Sequence, residues 1–436
     1  HFTVNTFTDK EWGYGDESPD VFNPIAFDAD QIVESAAAGG LKGLILTCKH
    51  HDGFCLWPTR ATPHSVAHSA WRHGKGDAVR DISAACARHG LKFGTYLSPW
   101  DRNNPAYGTP AYLSVYRAQL RELLTGYGPL FEVWFDGANG GDGYYGGARE
   151  KRDIDNRVYY DWPTTWAMVR ELQPDACMFS DAGPDVRWVG NEEGFAADPC
   201  WSTINKSDFA PGRADSAVLH HGLRNGADWL PAECDVSVRP GWFYHAAEDD
   251  RVRTPDNLMD LYFKSVGRGG SLLLNLPPDR RGLIHEQDRA SLATFKQRLD
   301  RLFAHDLARS GVSVTGPTRG NDPAYGPARL IDGSAGTFWC TDDNVLTPET
   351  VLQFREPVQF SIVSLREYLP LGQRVDAFAI DAWKDGAWRE IAAAQAIGHR
   401  RLLAFPTVTT DRVRLRITAA QACPAISEFS LYQGVP

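Results

Sequence analysis

Several positions in this chain put reactive side chains where an apolar stretch ends. The sharpest is Asp136, in Val133-Trp-Phe-Asp-Gly137. The run Leu130–Phe135 is apolar apart from Glu132, and then a carboxylate appears, followed by Gly-Ala-Asn-Gly-Gly. A turn or helix-capping Asp is the bland reading of that position. A carboxylate ending a buried strand beside Trp134 could instead attack a sugar ring from below. The loop Asn191-Glu192-Glu193-Gly194 carries a carboxylate pair. In such a pair the neighbour and burial raise one pKa, which suits a proton donor, while a solvated loop is the alternative. His50-His51-Asp52 admits a metal reading. Adjacent residues at a strand end point to opposite sides, so both histidines reach one ion only through an unusual turn. Neither His-x-His nor HExxH occurs, and hydrogen bonding to a polyol is favoured over metal binding and over packing.

Residues of this kind are placed by the elements beneath them. Residues 1–305 alternate short apolar, β-branched runs with stretches of helical spacing. Strands are expected at His1–Phe7, Gly43–Thr47, Leu91–Leu97, Leu130–Phe135, Ala176–Ser180 and Ser271–Asn275. Helices are expected at Asp77–His89, closed by Gly90, at Thr109–Gly126 with Pro110 in its first turn, at Trp162–Leu172 and at Pro255–Gly267. Repeated strand–helix units over about 300 residues point to a parallel (β/α)8-like TIM barrel. No glycine-rich phosphate loop follows a strand, which removes nucleotide-binding versions of such a sheet. Catalytic groups of such barrels lie past the C-terminal strand ends. Besides the residues above, that places Glu11, Trp12, Ser98, Trp100, Asp101, Asp181, Arg187, Glu233, Asp235, Trp242 and His245 near the mouth.

From about residue 312 the helical periods vanish. Alternating runs appear at Thr350–Phe354, Phe360–Ser364, Ala377–Asp381, Val413–Ile417 and Ser427–Tyr432, with Asp-Gly turns at 332–333 and 385–386. This reads as a β-sandwich, joined to the barrel by a helix over Gln297–Ala308. The division is a catalytic barrel over residues 1–308 and a sandwich over 309–436.

The 436 residues are 43% hydrophobic and 23% charged, which excludes disordered and fibrous classes. No stretch approaches the ~18 consecutive apolar residues of a membrane helix. A net charge of −10 with no Lys/Arg block speaks against nucleic acid as a partner. The 14 Trp and 15 Tyr suit a flat, amphipathic ligand such as a sugar. The eight cysteines are scattered, form no CxxC, and read as buried thiols. A chain opening on His1, already in a strand-like run, is expected to have lost an upstream segment, and a secreted or periplasmic location is the matching expectation.

Particular strings carry a resemblance. Asn5-Thr-Phe-Thr-Asp-Lys-Glu-Trp-Gly13, Thr47-Cys-Lys-His-His-Asp-Gly-Phe-Cys-Leu-Trp57, Tyr96-Leu-Ser-Pro-Trp-Asp-Arg102, Glu132-Val-Trp-Phe-Asp-Gly-Ala138, Arg187-Trp-Val-Gly-Asn-Glu192, Arg239-Pro-Gly-Trp-Phe-Tyr-His245 and Asn275-Leu-Pro-Pro278 follow in order through the barrel. Together they resemble the α-L-fucosidases of glycoside hydrolase family 29, in the form of the subgroup that cleaves α-1,3/1,4-linked fucose from branched glycans. The tail resembles the discoidin-type (factor 5/8 C-terminal) sandwich. The resemblance implies an exo-acting, retaining enzyme on fucosylated oligosaccharides or glycoconjugates. Asp136 is then the nucleophile and Glu192 the acid/base, with Glu193 its rival. His1, Glu11, Trp12, His50, His51, Tyr96, Trp134 and Trp242 are then the substrate contacts. No cofactor is required and no catalytic metal is expected. A structural Ca2+ is an expectation attached only to the sandwich. The Gly-rich, charged stretch 139–160 departs from the subgroup's pattern and lies between nucleophile and acid/base, where it would reshape the aglycone side. Three other readings stay open: an α-L-fucosidase of broad linkage specificity, a non-catalytic glycan-binding protein, and a zinc amidohydrolase using His50 and His51.

Overall fold

In the computed structural model of the chain, residues 1–309 and 311–434 are described; Ser310, Val435 and Pro436, within the expected sandwich span, lie outside them. Seven parallel strands form one curled sheet: β1 (Gly43–Lys49), β2 (Lys92–Leu97), β3 (Glu132–Trp134), β4 (Cys177–Ser180), β5 (Val186–Trp188), β6 (Ala232–Ser237) and β7 (Ser271–Asn275). They pair in sequence order, as right-handed strand–helix units require. The result is a TIM-like half-barrel of seven strands rather than eight, and among the described residues β7 does not pair with β1.

The helices form where the sequence caps them. Asp77 accepts the Arg80 N–H at 2.9 Å and starts Ala78–His89, while Gly90 closes it in the left-handed region at φ +71°. Val79, Ile82 and Cys86 fall on one face of that helix and are buried. At roughly 1.5–3 kcal/mol per large apolar side chain, this burial outweighs any cap.

Two expectations need correction. His1–Phe7 is not a strand. Thr3 caps a short helix, Val4–Thr8, by accepting the Asn5 N–H at 3.2 Å. The Asn5 side chain in turn accepts from Gly13 N and donates to the Glu11 carbonyl. These contacts with Glu11–Gly13 override the local period-2 pattern. His1 thus lies between Asn275, at the end of β7, and His50, just past β1. The connecting helix is Glu286–Phe303, earlier than Gln297–Ala308. His285 caps it, and Leu292, Phe295 and Leu302 continue its buried stripe.

The C-terminal domain is an antiparallel sandwich. Its strands pair in the order Trp339–Cys340, Ala425–Tyr432, Glu349–Glu367, Arg401–Ala420, Val375–Lys384, Ala387–Gln395, and Val312–Thr315 adds to Glu349–Glu367. The runs expected at 350–354 and 360–364 are two ends of that single 19-residue strand, whose pairing shifts register between Gln353 and Val358. Asp385 and Gly386 both take positive φ and close a two-residue hairpin. Trp339, Phe360, Leu365, Phe378 and Phe429 form a core of its own. All eight cysteines carry free thiols, seven of them buried. Among the described residues no helix is long and apolar enough to cross a membrane.

Candidate active site

Asp136 follows β3 at the C-terminal mouth of the barrel. Both of its oxygens accept hydrogen bonds: Oδ2 from the Tyr96 hydroxyl at 2.7 Å, and Oδ1 from the Ala138 N–H at 2.6 Å. Tyr96 ends β2 and is buried, and that burial, with Asp136 alongside, pushes its phenol far up, so the hydroxyl stays a donor. The Tyr96 ring stacks on Trp134, which stacks on Phe179 at 4.0 Å between centroids. The nucleophile candidate therefore hangs from a rigid aromatic column.

His51 Nε2 lies 3.9 Å from Asp136 Oδ2. Its tautomer follows from the hydrogen bonds. Ser98 Oγ donates to the Trp100 carbonyl at 2.8 Å, so it accepts from His51 Nδ1–H at 2.7 Å. That leaves the Nε2 lone pair facing Asp136 across a gap that suits a ligand hydroxyl. Burial drives this imidazole down to about 4 against the opposing pull of Asp136, so it is neutral at neutral pH. Burial likewise holds His50 well below the usual histidine range. Contrary to the strand-end expectation, the two rings share one side, 4.0 Å apart. The reason is local. The pairing slips between Thr47 and Lys49, and a turn follows in which Gly53 N–H reaches the His50 carbonyl at 3.0 Å with Gly53 at φ +82°. Buried Asp52 anchors the turn through Thr3 and Phe54, and burial pushes its carboxyl up to about 7.

His1 stands edge-on to His50, Tyr96 and Trp242 at 5.3–5.6 Å. His1 and His50 line one cavity of about 920 Å³. Their Nδ1 atoms are turned away from it, buried without a protein partner. Trp12, 51% exposed, forms the rim, edge-on to His51 and Trp100. Glu192 faces the same cavity and accepts the Trp242 indole N–H at 3.3 Å. Burial, then the negative charges of Asp136 and Glu11, raise its pKa over the opposing Trp242 bond. Both glutamates are exposed at the loop surface, but Glu193 does not line the cavity.

The cavity thus gathers His1, Trp12, His50, His51, Tyr96, Trp134, Asp136, Glu192 and Trp242. Glu11 stands one layer behind. Its carboxylate accepts Trp242 N at 2.9 Å and Phe243 N at 3.3 Å, and pairs with His245, so it sets the Trp242 loop. No residue of 139–160 lines the cavity. That stretch forms the ribbon Gly141–Gly143 with Glu150–Arg152, and Tyr145 beside it takes the Trp100 indole N–H, behind the rim.

The mouth also holds residues to which the chain pattern assigned no role. Asn275 ends β7, bonds the Trp242 carbonyl, and lines the cavity. Its signal was the same as that of Asp136: a polar residue ending an apolar strand. Deeper down, Glu132 and Glu233 are a buried carboxyl pair, both raised chiefly by burial. Glu233 accepts the Trp134 indole N–H at 3.1 Å, fixing the aromatic column from below.

Among the described residues no group of three or more His, Cys, Asp or Glu is placed to hold a metal ion. In the sandwich, Asp332 is taken up by Ser334 N, the Thr337 hydroxyl and Arg329.

Two carboxyls and neutral histidines around an aromatic-walled cavity, at the C-terminal mouth of a parallel barrel, define a glycoside hydrolase. The family description Alpha-L-fucosidase matches residues 1–301, and F5/8 type C domain matches residues 313–429. The chain is similar to Alpha-L-fucosidase 1 of Arabidopsis thaliana, 40% identical over 437 residues, spanning 99% of this chain and 84% of that relative. The structure of a putative alpha-L-fucosidase from Bacteroides thetaiotaomicron superposes with a TM-score of 0.91 at 39% identity, covering 100% of this chain and 94% of that one. The Ruminococcus gnavus GH29 fucosidase E1_10125, solved in complex with fucose, superposes with a TM-score of 0.88 at 30% identity, covering 100% and 92%. The chain belongs to the α-L-fucosidase family, in glycoside hydrolase family 29, with a C-terminal F5/8 type C domain. It is an α-L-fucosidase and acts on fucosylated glycans, so the amidohydrolase and non-catalytic readings fall away.

Proposed function

We propose that the enzyme is a retaining exo-α-L-fucosidase that releases α-1,3/1,4-linked fucose from branched, Lewis-type glycans by double displacement. The observation that carries this reading is Asp136, hydrogen-bonded on both oxygens, sharing one cavity with Glu192, whose pKa is raised. Asp136 attacks the anomeric carbon as Glu192 gives its proton to the departing glycosidic oxygen. A fucosyl–Asp136 ester forms and the acceptor leaves as an alcohol. Glu192, now ionised, takes a proton from water, which attacks the same carbon and releases fucose and the Asp136 carboxylate. Neutral His51, with His1 and His50 beside it on the cavity wall, binds ring hydroxyls. The Tyr96–Trp134 column and Trp242 offer aromatic surface to the apolar ring face and methyl group.

The test is Asp136→Gly with azide. The variant should keep its fold and lose turnover, and azide in the vacated space should restore activity and yield the β-fucosyl azide. Normal activity in the variant would remove Asp136 from the mechanism. The branched-substrate preference rests on the motif forms and on the exposed aromatic rim of Trp12, backed by buried Trp100. Polar groups that bond a branching galactose are left unpaired by a linear substrate. Lewis x should be cleaved well and 2′-fucosyllactose poorly. Equal kcat/KM on the two refutes the linkage reading and leaves the catalytic one standing.

A further inference from the structure

The loop 190–202, between β5 and the two-residue strand Thr203–Ile204, carries Glu192 and has no regular structure. At its start, Asn191 bonds the Phe195 carbonyl at 3.1 Å and His220 at 3.0 Å. Beyond Glu192 the loop is held from outside the barrel mouth. Asp198 Oδ1 accepts from Arg401 Nη2 of the sandwich at 2.6 Å. Arg268 donates to the Ala196 carbonyl at 2.6 Å. Ser202 N–H donates to Gln373 Oε1 of the sandwich at 3.1 Å. Arg224, paired with Asp376 of the sandwich, lies over the Trp201 ring at 4.8 Å.

These contacts are separate from the surface that docks the two domains. Docking is apolar: Leu302, Phe303, Met259 and Tyr262 of the barrel pack on Ile362, Leu402 and Tyr432 of the sandwich. Arg400 adds a polar link within that patch, donating to the Tyr262 hydroxyl at 3.1 Å, and a second set of polar contacts falls on the Glu192 loop. The sandwich loops that make them are themselves clasped. Buried Glu367 accepts Arg374 N at 2.6 Å and Val375 N at 2.8 Å on one oxygen, and Gly398 N at 2.8 Å on the other. This ties the Gln373 turn to the segment leading into Arg401. Arg401 is 3% exposed, and its neighbour Leu402 donates to the Gly267 carbonyl at 2.9 Å.

We propose that the C-terminal sandwich is a brace for the proton-donating carboxyl, with Arg401 and Gln373 as positioning residues that fix the Glu192 loop. The proposal rests on the reading of Glu192 as the acid/base. Asp198 lies six residues along the chain from Glu192, and the loop between them has no strand or helix to stiffen it. Freed at Asp198, the carboxyl keeps its chemistry and loses its position, and small misplacements of a reacting group cost up to about 100-fold in rate.

The test compares kcat/KM on Lewis x, whose leaving sugar needs a proton, with that on 2-chloro-4-nitrophenyl α-L-fucoside, whose leaving group does not. Arg401→Ala and Gln373→Ala leave the apolar docking patch intact. Arg401→Ala should lower Lewis x cleavage roughly tenfold or more while the aryl fucoside changes by less than about threefold. Arg401→Lys should recover part of the loss, and Gln373→Ala should show a weaker version of the same split. Glu192→Ala, run alongside, separates the two claims. If Glu192→Ala discriminates between the substrates and Arg401→Ala lowers both equally or neither, the brace is overturned and the acid assignment stands. If Glu192→Ala does not discriminate, the assignment falls and takes the brace with it.

Discussion

Tyr96→Phe removes one oxygen and little else. The Tyr96 ring is buried and keeps its stack on Trp134, 5.2 Å away, so the aromatic column survives. What is lost is the 2.7 Å hydrogen bond to Asp136 Oδ2. A hydrogen bond to a charged group is worth about 1.5–3 kcal/mol. In the proposed double displacement the two half-reactions feel it in opposite ways. In the first, Asp136 gives up charge as it attacks, so the bond weakens on the way to the ester. In the second, Asp136 leaves as a carboxylate, and the donor stabilises the charge that develops. With an activated aryl fucoside, release of the fucosyl ester is the slower half-reaction. Tyr96→Phe should therefore lower kcat roughly 10- to 150-fold, the rate equivalent of 1.5–3 kcal/mol. KM should fall with kcat, because the ester accumulates. Stopped-flow should show a burst of aryl alcohol, and mass spectrometry of the quenched enzyme should find fucose on the peptide holding Asp136. Unchanged kcat, or a loss of kcat with raised KM and no burst, refutes this account of Tyr96.

Further outcomes follow from the same geometry. On the proposed reading Glu192 acts protonated, and its pKa is raised by burial and by Asp136, so kcat/KM on Lewis x should hold below that pKa and fall as pH rises through it. Glu192→Ala, measured by its residual cleavage of Lewis x, should lose this alkaline limb; persistence of the limb assigns it to another group. Glu367 is buried and raised from 4.5 to about 7, so its contribution to stability is fully present below the unfolded value and is lost as pH rises through about 7. Thermal melts should show wild type losing about 3 kcal/mol of stability from this group across that window, and Glu367→Gln should flatten the slope. An identical slope in the variant refutes the assignment.

Much of the protein is written in local sequence. Apolar runs of strand length, Asp77 and Gly90 at their helix ends, and the Asp385-Gly386 turn specify the barrel units and the sandwich hairpin because those signals act within a few residues. Asp136 stood out for the same reason, as a carboxylate ending an apolar run, and the structure places it on the cavity wall. What tertiary structure decided is everything that depends on groups distant along the chain. Val4–Thr8 turned helical because Asn5 bonds both Thr3 and Gly13 rather than a neighbouring strand. His50 and His51 face one cavity because a register slip and the Gly53 turn rotate the backbone. The His51 tautomer depends on Ser98, 47 residues away, and Glu192 meets Trp242, 50 residues away. Sequence determined which groups stand at the strand ends, since strand and helix periods are local. Only the tertiary fold decided which of them share a cavity and a proton, because burial and hydrogen-bond partners arise when remote segments pack.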